Sequence, residues 1–147
     1  MISFLRYWLP LLGWMLVIFS ASADTQSTEH TSRFLVPFLR WLTPEIAQET
    51  IDTVRWLVRK TAHLTEFAIL AWLCWRALRK PIRRDPRPWS WRIAGLAVGA
   101  VVLYASSDEF HQSFVRNRTA LVTDVCIDTA GGIIGIGLLW AIYGRRR

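Results

Sequence analysis

Four long apolar stretches within 147 residues restrict the fold of this chain more than any other feature. They run from about Tyr7 to Ala23, Thr61 to Ala77, Ile93 to Phe110 and Leu121 to Tyr143. A helix needs ~20 mostly apolar residues to cross a bilayer, with ~17 tolerated. Backbone groups in hydrocarbon must be satisfied internally, which favours helices for such spans. The expectation is an all-α, polytopic membrane protein with four transmembrane helices in a single domain, 1–147. The fourth stretch is comfortably long and the first two are short. The third is apolar only to Ala105, because Ser106 to Glu109 make its end polar. Half of the chain is hydrophobic (52%), yet its formal charge is +7, as befits apolar spans flanked by basic loops. The basic residues lie between apolar runs and form neither a stripe nor an arm, so no nucleic-acid partner is expected. Cys74 and Cys126 fall inside apolar stretches and read as packing residues.

Arg6, the apolar core after it and Ala21-Ser22-Ala23 also fit a secretory signal peptide with its cleavage site. That leaves two readings for residues 1–23, an uncleaved first span or a removed leader. Orientation follows from Lys and Arg. Arg76, Arg79, Lys80, Arg83, Arg84, Arg87 and Arg92 lie between the second and third spans, opposed by Asp85 alone, and the chain closes on Arg145-Arg146-Arg147. Both regions are expected in the cytoplasm, and an even number of spans puts the N-terminus there too. Residues 24–60 and the connection around 111–120 are then outside. The first of these carries apolar Phe34, Leu35, Phe38, Leu39 and Leu42 at helical spacing. Thr43-Pro44-Glu45 next resembles a helix start, with a cap, a first-turn proline and an acid on the helix dipole. Two short interfacial helices are expected in this outer loop, covering the polar site or lying on lipid.

Ionisable residues within spans are costly and mark function or tight pairing. Here they gather at one level. Lys60, His63 and Glu66 open the second span; Asp108, Glu109, His111 and Gln112 close the third; Asp124 and Asp128 open the fourth, after Arg116 and Arg118. At ~1.5 Å rise per residue, Glu66 and Asp128 lie roughly 10 Å inside their span ends, deep enough to need partners. On the same face as Asp128 the fourth helix carries Gly131 and Gly135, small residues that let helices approach closely. Each polar residue also has a purely structural reading. Lys60 can snorkel, and His63 can serve as a hydrogen-bonding group. Glu66 can pair with either of them. One of the adjacent Asp108 and Glu109 can face water, and Asp124 and Asp128 can neutralise Arg118 and Lys60.

These residues together resemble the VanZ-like family of bacterial membrane proteins over nearly the whole chain. Phe19-Ser20 and the Ser/Thr-rich stretch after it resemble the end of the family's first span. Arg59-Lys60-Thr61-Ala62-His63-Leu64-Thr65-Glu66-Phe67-Ala68 is similar to its second-span signature, and Ser107 to Phe114 to the Asp-Glu-x-x-Gln signature of its third. Arg118, Asp124, Asp128-Thr129-Ala130-Gly131 and Gly135 look like its last. Any one of these is weak; four in order on the right spans are specific. The chain departs from many relatives in having Arg116-Asn117 where they have Pro-Gly, and Asp128 where they have Asn. The family is named for a protein associated with resistance to teicoplanin, a glycopeptide that acts at the outer membrane face. The resemblance implies a cell-envelope role in a bacterial inner membrane and supplies no reaction.

Several functions fit. One is an envelope factor that reduces susceptibility to glycopeptide or lipoglycopeptide antibiotics. Another is an enzyme acting on a lipid head group or lipid-linked phosphate, with Asp108, Glu109 and His63 as candidate catalytic residues. Lys60, Glu66, Gln112, Arg118, Asp124 and Asp128 would then bind the substrate, the cations holding phosphate. A metal-assisted variant would use His63, Glu66, Asp108, Asp124 and Asp128, against the opposing charge of Lys60 and Arg118; no metal site and no cofactor are assigned. A small proton-coupled transporter is the remaining reading. Expected partners are membrane lipids and a lipid-linked or glycopeptide ligand.

Overall fold

The computed structural model describes residues 2–23, 27–81, 87–114 and 121–144. Among them every regular element is helical, as expected: α1 (Ile2–Ala23), α2 (Ser27–Leu42), α3 (Gln48–Arg79), α4 (Trp91–Gln112) and α5 (Val122–Leu139), which continues into a π-helical turn over Trp140–Gly144. Three of these helices are long and apolar enough to cross a membrane: Phe4–Ser22, Trp91–Gln112 and Val122–Gly144. The second expected span is the exception. It belongs to α3, the longest helix, whose apolar part around Phe67 to Ala77 is preceded by Lys60, His63 and Glu66.

The first outer segment also differs from expectation. Only α2 is a separate short helix there. Thr43-Pro44-Glu45 does not start a helix; Thr43 N–H donates to the Leu39 carbonyl and closes α2, and Pro44-Glu45 form a turn. The next helix begins at Gln48 and runs without a break through the expected span start at Thr61. No proline or glycine lies between Gln48 and Arg79 to interrupt it. The supposed second interfacial helix is therefore the first part of α3, anchored by fully buried Ile51.

The far end of α3 is a left-handed cap at Lys80 (φ 48°, ψ 61°), whose N–H donates to the Arg76 carbonyl at 2.9 Å, with Pro81 following. Arg79 donates to the carbonyls of Arg87 (2.6 Å) and Pro88 (3.0 Å), tying the ends of the connection together. Ser90 then caps α4, its hydroxyl oxygen accepting from the Ile93 N–H.

Core packing centres on α3, with α5 and α4 against it and α1 on its flank. Phe67, Leu70, Ala71, Val101 and Ala105 are buried, as is Ile18 of α1. The outward faces are themselves apolar: Leu16, Leu103 and Leu138 are well exposed. Such surfaces suit lipid and not water. At one end lies an aromatic and arginine belt. Trp75 stacks on Trp89 and Tyr143, Trp91 meets Trp89 and Trp140, and Arg79 and Arg76 sit over the rings of Trp75 and Tyr7. Aromatic rings with flanking cations of this kind settle at a membrane–water boundary.

Candidate functional site

The opposite end of the bundle is polar, and the way α3 meets α5 sets its geometry. The two helices run parallel. A methyl group on Gly131 would strike the Leu64 carbonyl, and one on Gly135 would lie 2.6 Å from the Ala68 carbonyl. A methyl group on Gly132 would lie 2.9 Å from Cγ1 of the Val101 side chain of α4. Gly131 and Gly135 thus bring the α3 and α5 backbones together where any side chain would hold them apart. Next to the Leu64–Gly131 contact, towards the polar end, this seam places His63 opposite Asp128, and about a turn further on, Lys60 opposite Asp124.

Lys60 Nζ donates to Asp124 Oδ1, and both side chains are largely buried. This ion pair commits the lysine to a carboxylate, so it is not a free cation for phosphate. His63 Nδ1 lies 3.5 Å from Asp128 Oδ1, beyond good hydrogen-bond distance. Asp128 is 1% exposed, and both of its carboxylate oxygens are buried without a hydrogen-bond partner.

On α4, Asp108 Oδ2 accepts from Ser22 Oγ of α1 (2.7 Å) and from Gln112 Nε2 one turn on (2.8 Å). Its other oxygen, Oδ1, is buried with no partner. The neighbouring Glu109 does not face water either. It is 5% exposed, its Oε2 accepts from the Leu121 backbone N–H at 3.1 Å, and its Oε1 is buried and unpartnered. Asp108, Glu109 and Asp128 are near enough to feel one another's charge. Unsatisfied buried carboxylate oxygens cost several kcal/mol in a low-dielectric setting. Three such residues on two helices, at one level, are acceptors poised for donors. Among the described residues no three His, Cys, Asp or Glu side chains come together as a metal-holding group.

Of the residues expected in the site, Lys60, His63, Asp108, Glu109, Gln112, Asp124 and Asp128 converge. Glu66 feels the charges of His63, Asp128 and Asp108 but lines a groove beside Trp14 of α1. Arg118, like Arg116, lies outside the described residues. The sequence reading passed over Ser22, which is 3% exposed and supplies a donor to Asp108. Its signal was present: a hydroxyl at the end of an apolar span, in the tripeptide that also reads as a cleavage site. Buried Tyr7, Leu11 and Ile18 and the Tyr104 hydroxyl bond to the Met15 carbonyl (2.5 Å) make α1 part of the bundle. The His111 ring packs on Phe19 with centroids 4.4 Å apart.

The family model described as VanZ/LLP1 matches residues 7–143, a range that takes in every described residue of this polar end. No curated protein and no solved structure matches the chain.

Proposed function

The chain belongs to the VanZ/LLP1 family, and from that premise we propose that it is an envelope protein of a bacterial inner membrane. In this reading four helices span the bilayer, α3 being the fourth, with both termini cytoplasmic. The polar end then faces outward, and the Arg-rich connection after α3 faces the cytoplasm. The site takes the polar head of a lipid-linked or lipoglycopeptide molecule and so lowers susceptibility to glycopeptide antibiotics. The observation that carries this reading is the set of buried, unpartnered oxygens on Asp108, Glu109 and Asp128. A site built only for packing would place apolar groups there at lower cost.

The oxygens select the ligand's chemistry. They accept hydrogen bonds, and among the described residues Lys60 is held by Asp124, so hydroxyl and ammonium groups fit better than phosphate. The test is teicoplanin susceptibility of a sensitive host that expresses the wild-type chain or Asp108→Asn at matched membrane levels. Protection by the wild type and its loss in the variant are expected. Equal susceptibility with and without the wild-type chain contradicts the reading.

A second reading, an enzyme acting on a lipid head group, is favoured by one observation: His63 beside the fully buried Asp128. Catalytic hydrogen bonds are often long before substrate arrives. It predicts a chemically altered lipid in membranes that contain the wild-type chain and none in those with His63→Gln.

A further inference from the structure

Beside the polar end, Trp14 of α1 and one face of α3 line an open groove of about 550 Å³. Its walls are mainly apolar, with Trp14 on α1 and Val54, Leu57, Val58 and Ile69 on α3. Three residues with polar side-chain oxygens also line it, and two of them are spent. Thr61 donates to the Leu57 carbonyl and Thr65 to the Thr61 carbonyl, each at 2.8 Å. The Trp14 indole N–H is spent as well, on the backbone carbonyl of Glu66 at 3.0 Å, which fixes one wall.

The Glu66 carboxylate remains. It has no hydrogen-bond or salt-bridge partner among the described residues, although it is only partly exposed. A lone acid in an apolar groove between membrane helices is costly unless a cation meets it. A carboxylate with free lone pairs bonds most strongly to N–H donors that carry charge. An apolar groove with one such acid complements a molecule that is an apolar chain with one ammonium.

We propose that the α1–α3 groove binds an amphiphilic amine, with its chain along Val54, Leu57, Val58 and Ile69 and its ammonium on Glu66. The groove lies beside the Asp108–Asp128 end, whose charges Glu66 feels, and its binding of an amine does not depend on the function proposed for that end.

The test uses the full-length protein in detergent micelles, with dodecylamine as the probe and dodecanol as the same chain without the charge, read by native mass spectrometry. Wild-type protein is expected to retain dodecylamine about tenfold better than dodecanol, the scale of one charge-assisted hydrogen bond. Glu66→Gln is expected to lose that preference. Glu49→Gln, an exposed acid on the same helix outside the groove, is expected to keep it. Equal retention of the two probes by wild type, or a preference that survives Glu66→Gln, overturns the proposal. If Glu66→Gln fails to accumulate, Val58→Trp decides: filling the groove is expected to abolish retention of the amine, and undiminished retention overturns the site.

Discussion

One seam, two halves. Where α3 and α5 meet, the half containing Leu64, Ala68, Gly131 and Gly135 consists of small residues packed on backbone. The half containing Lys60, His63, Asp124 and Asp128 is made by the same two helices a turn or two away. There the cost is accepted: one ion pair is complete, and Asp128 is buried with neither oxygen hydrogen-bonded, His63 Nδ1 standing 3.5 Å from Oδ1. The contrast separates what holds the helices together from what they are held together for. The glycines set the interhelical distance, and the polar half inherits it.

Breaking the small-residue half should have the largest effect. Gly131→Val places a branched side chain on the Leu64 carbonyl, which is backbone and cannot rotate away. Overpacking of this kind costs about 3 kcal/mol or more, so the variant is expected to fall sharply in membrane level and to unfold early in detergent. Unchanged thermal unfolding would mean the seam is looser than described.

Lys60→Met comes next. It strands Asp124, at an expected ~1–3 kcal/mol, less than for a fully buried pair because both side chains keep some solvent contact. The double variant Lys60→Met/Asp124→Leu should recover most of that loss, which a thermal-unfolding cycle of the four proteins measures. Ser22→Ala is the mildest. Asp108 keeps its bond from Gln112, so a loss of about 1 kcal/mol in unfolding stability is expected. A collapse of the protein instead would make Ser22 a pillar of the fold rather than an orienter of Asp108.

The same contrast explains what could be read from the sequence. Apolar length revealed the helices α1, α4 and α5, and the small residues at Gly131 and Gly135 revealed a close approach. The level of the polar cluster was legible because span ends and charges coincide. The extent of α3 was not: Thr43-Pro44-Glu45 carries every local mark of a helix start, yet its proline makes a turn and the helix begins at Gln48. Lys60, His63 and Glu66 look like one stripe at a spacing of three. At 3.6 residues per turn each step of three falls about 60° short of a full circle. Over two steps Glu66 drifts about 120° from Lys60, out of the α5 seam and towards α1. Ser22 was obscured by a second meaning of the same tripeptide, since a cleavage motif and a helix end that carries a hydroxyl use the same small residues.

The central claim is that the buried carboxylates serve a ligand and not the stability of the bundle. It is tested most directly by thermal unfolding of Asp128→Asn beside the wild type in the same detergent. Removing a buried charge without hydrogen-bond partners should leave the unfolding temperature unchanged or raise it. A drop of several degrees would show that Asp128 holds the helices together, and would contradict the account.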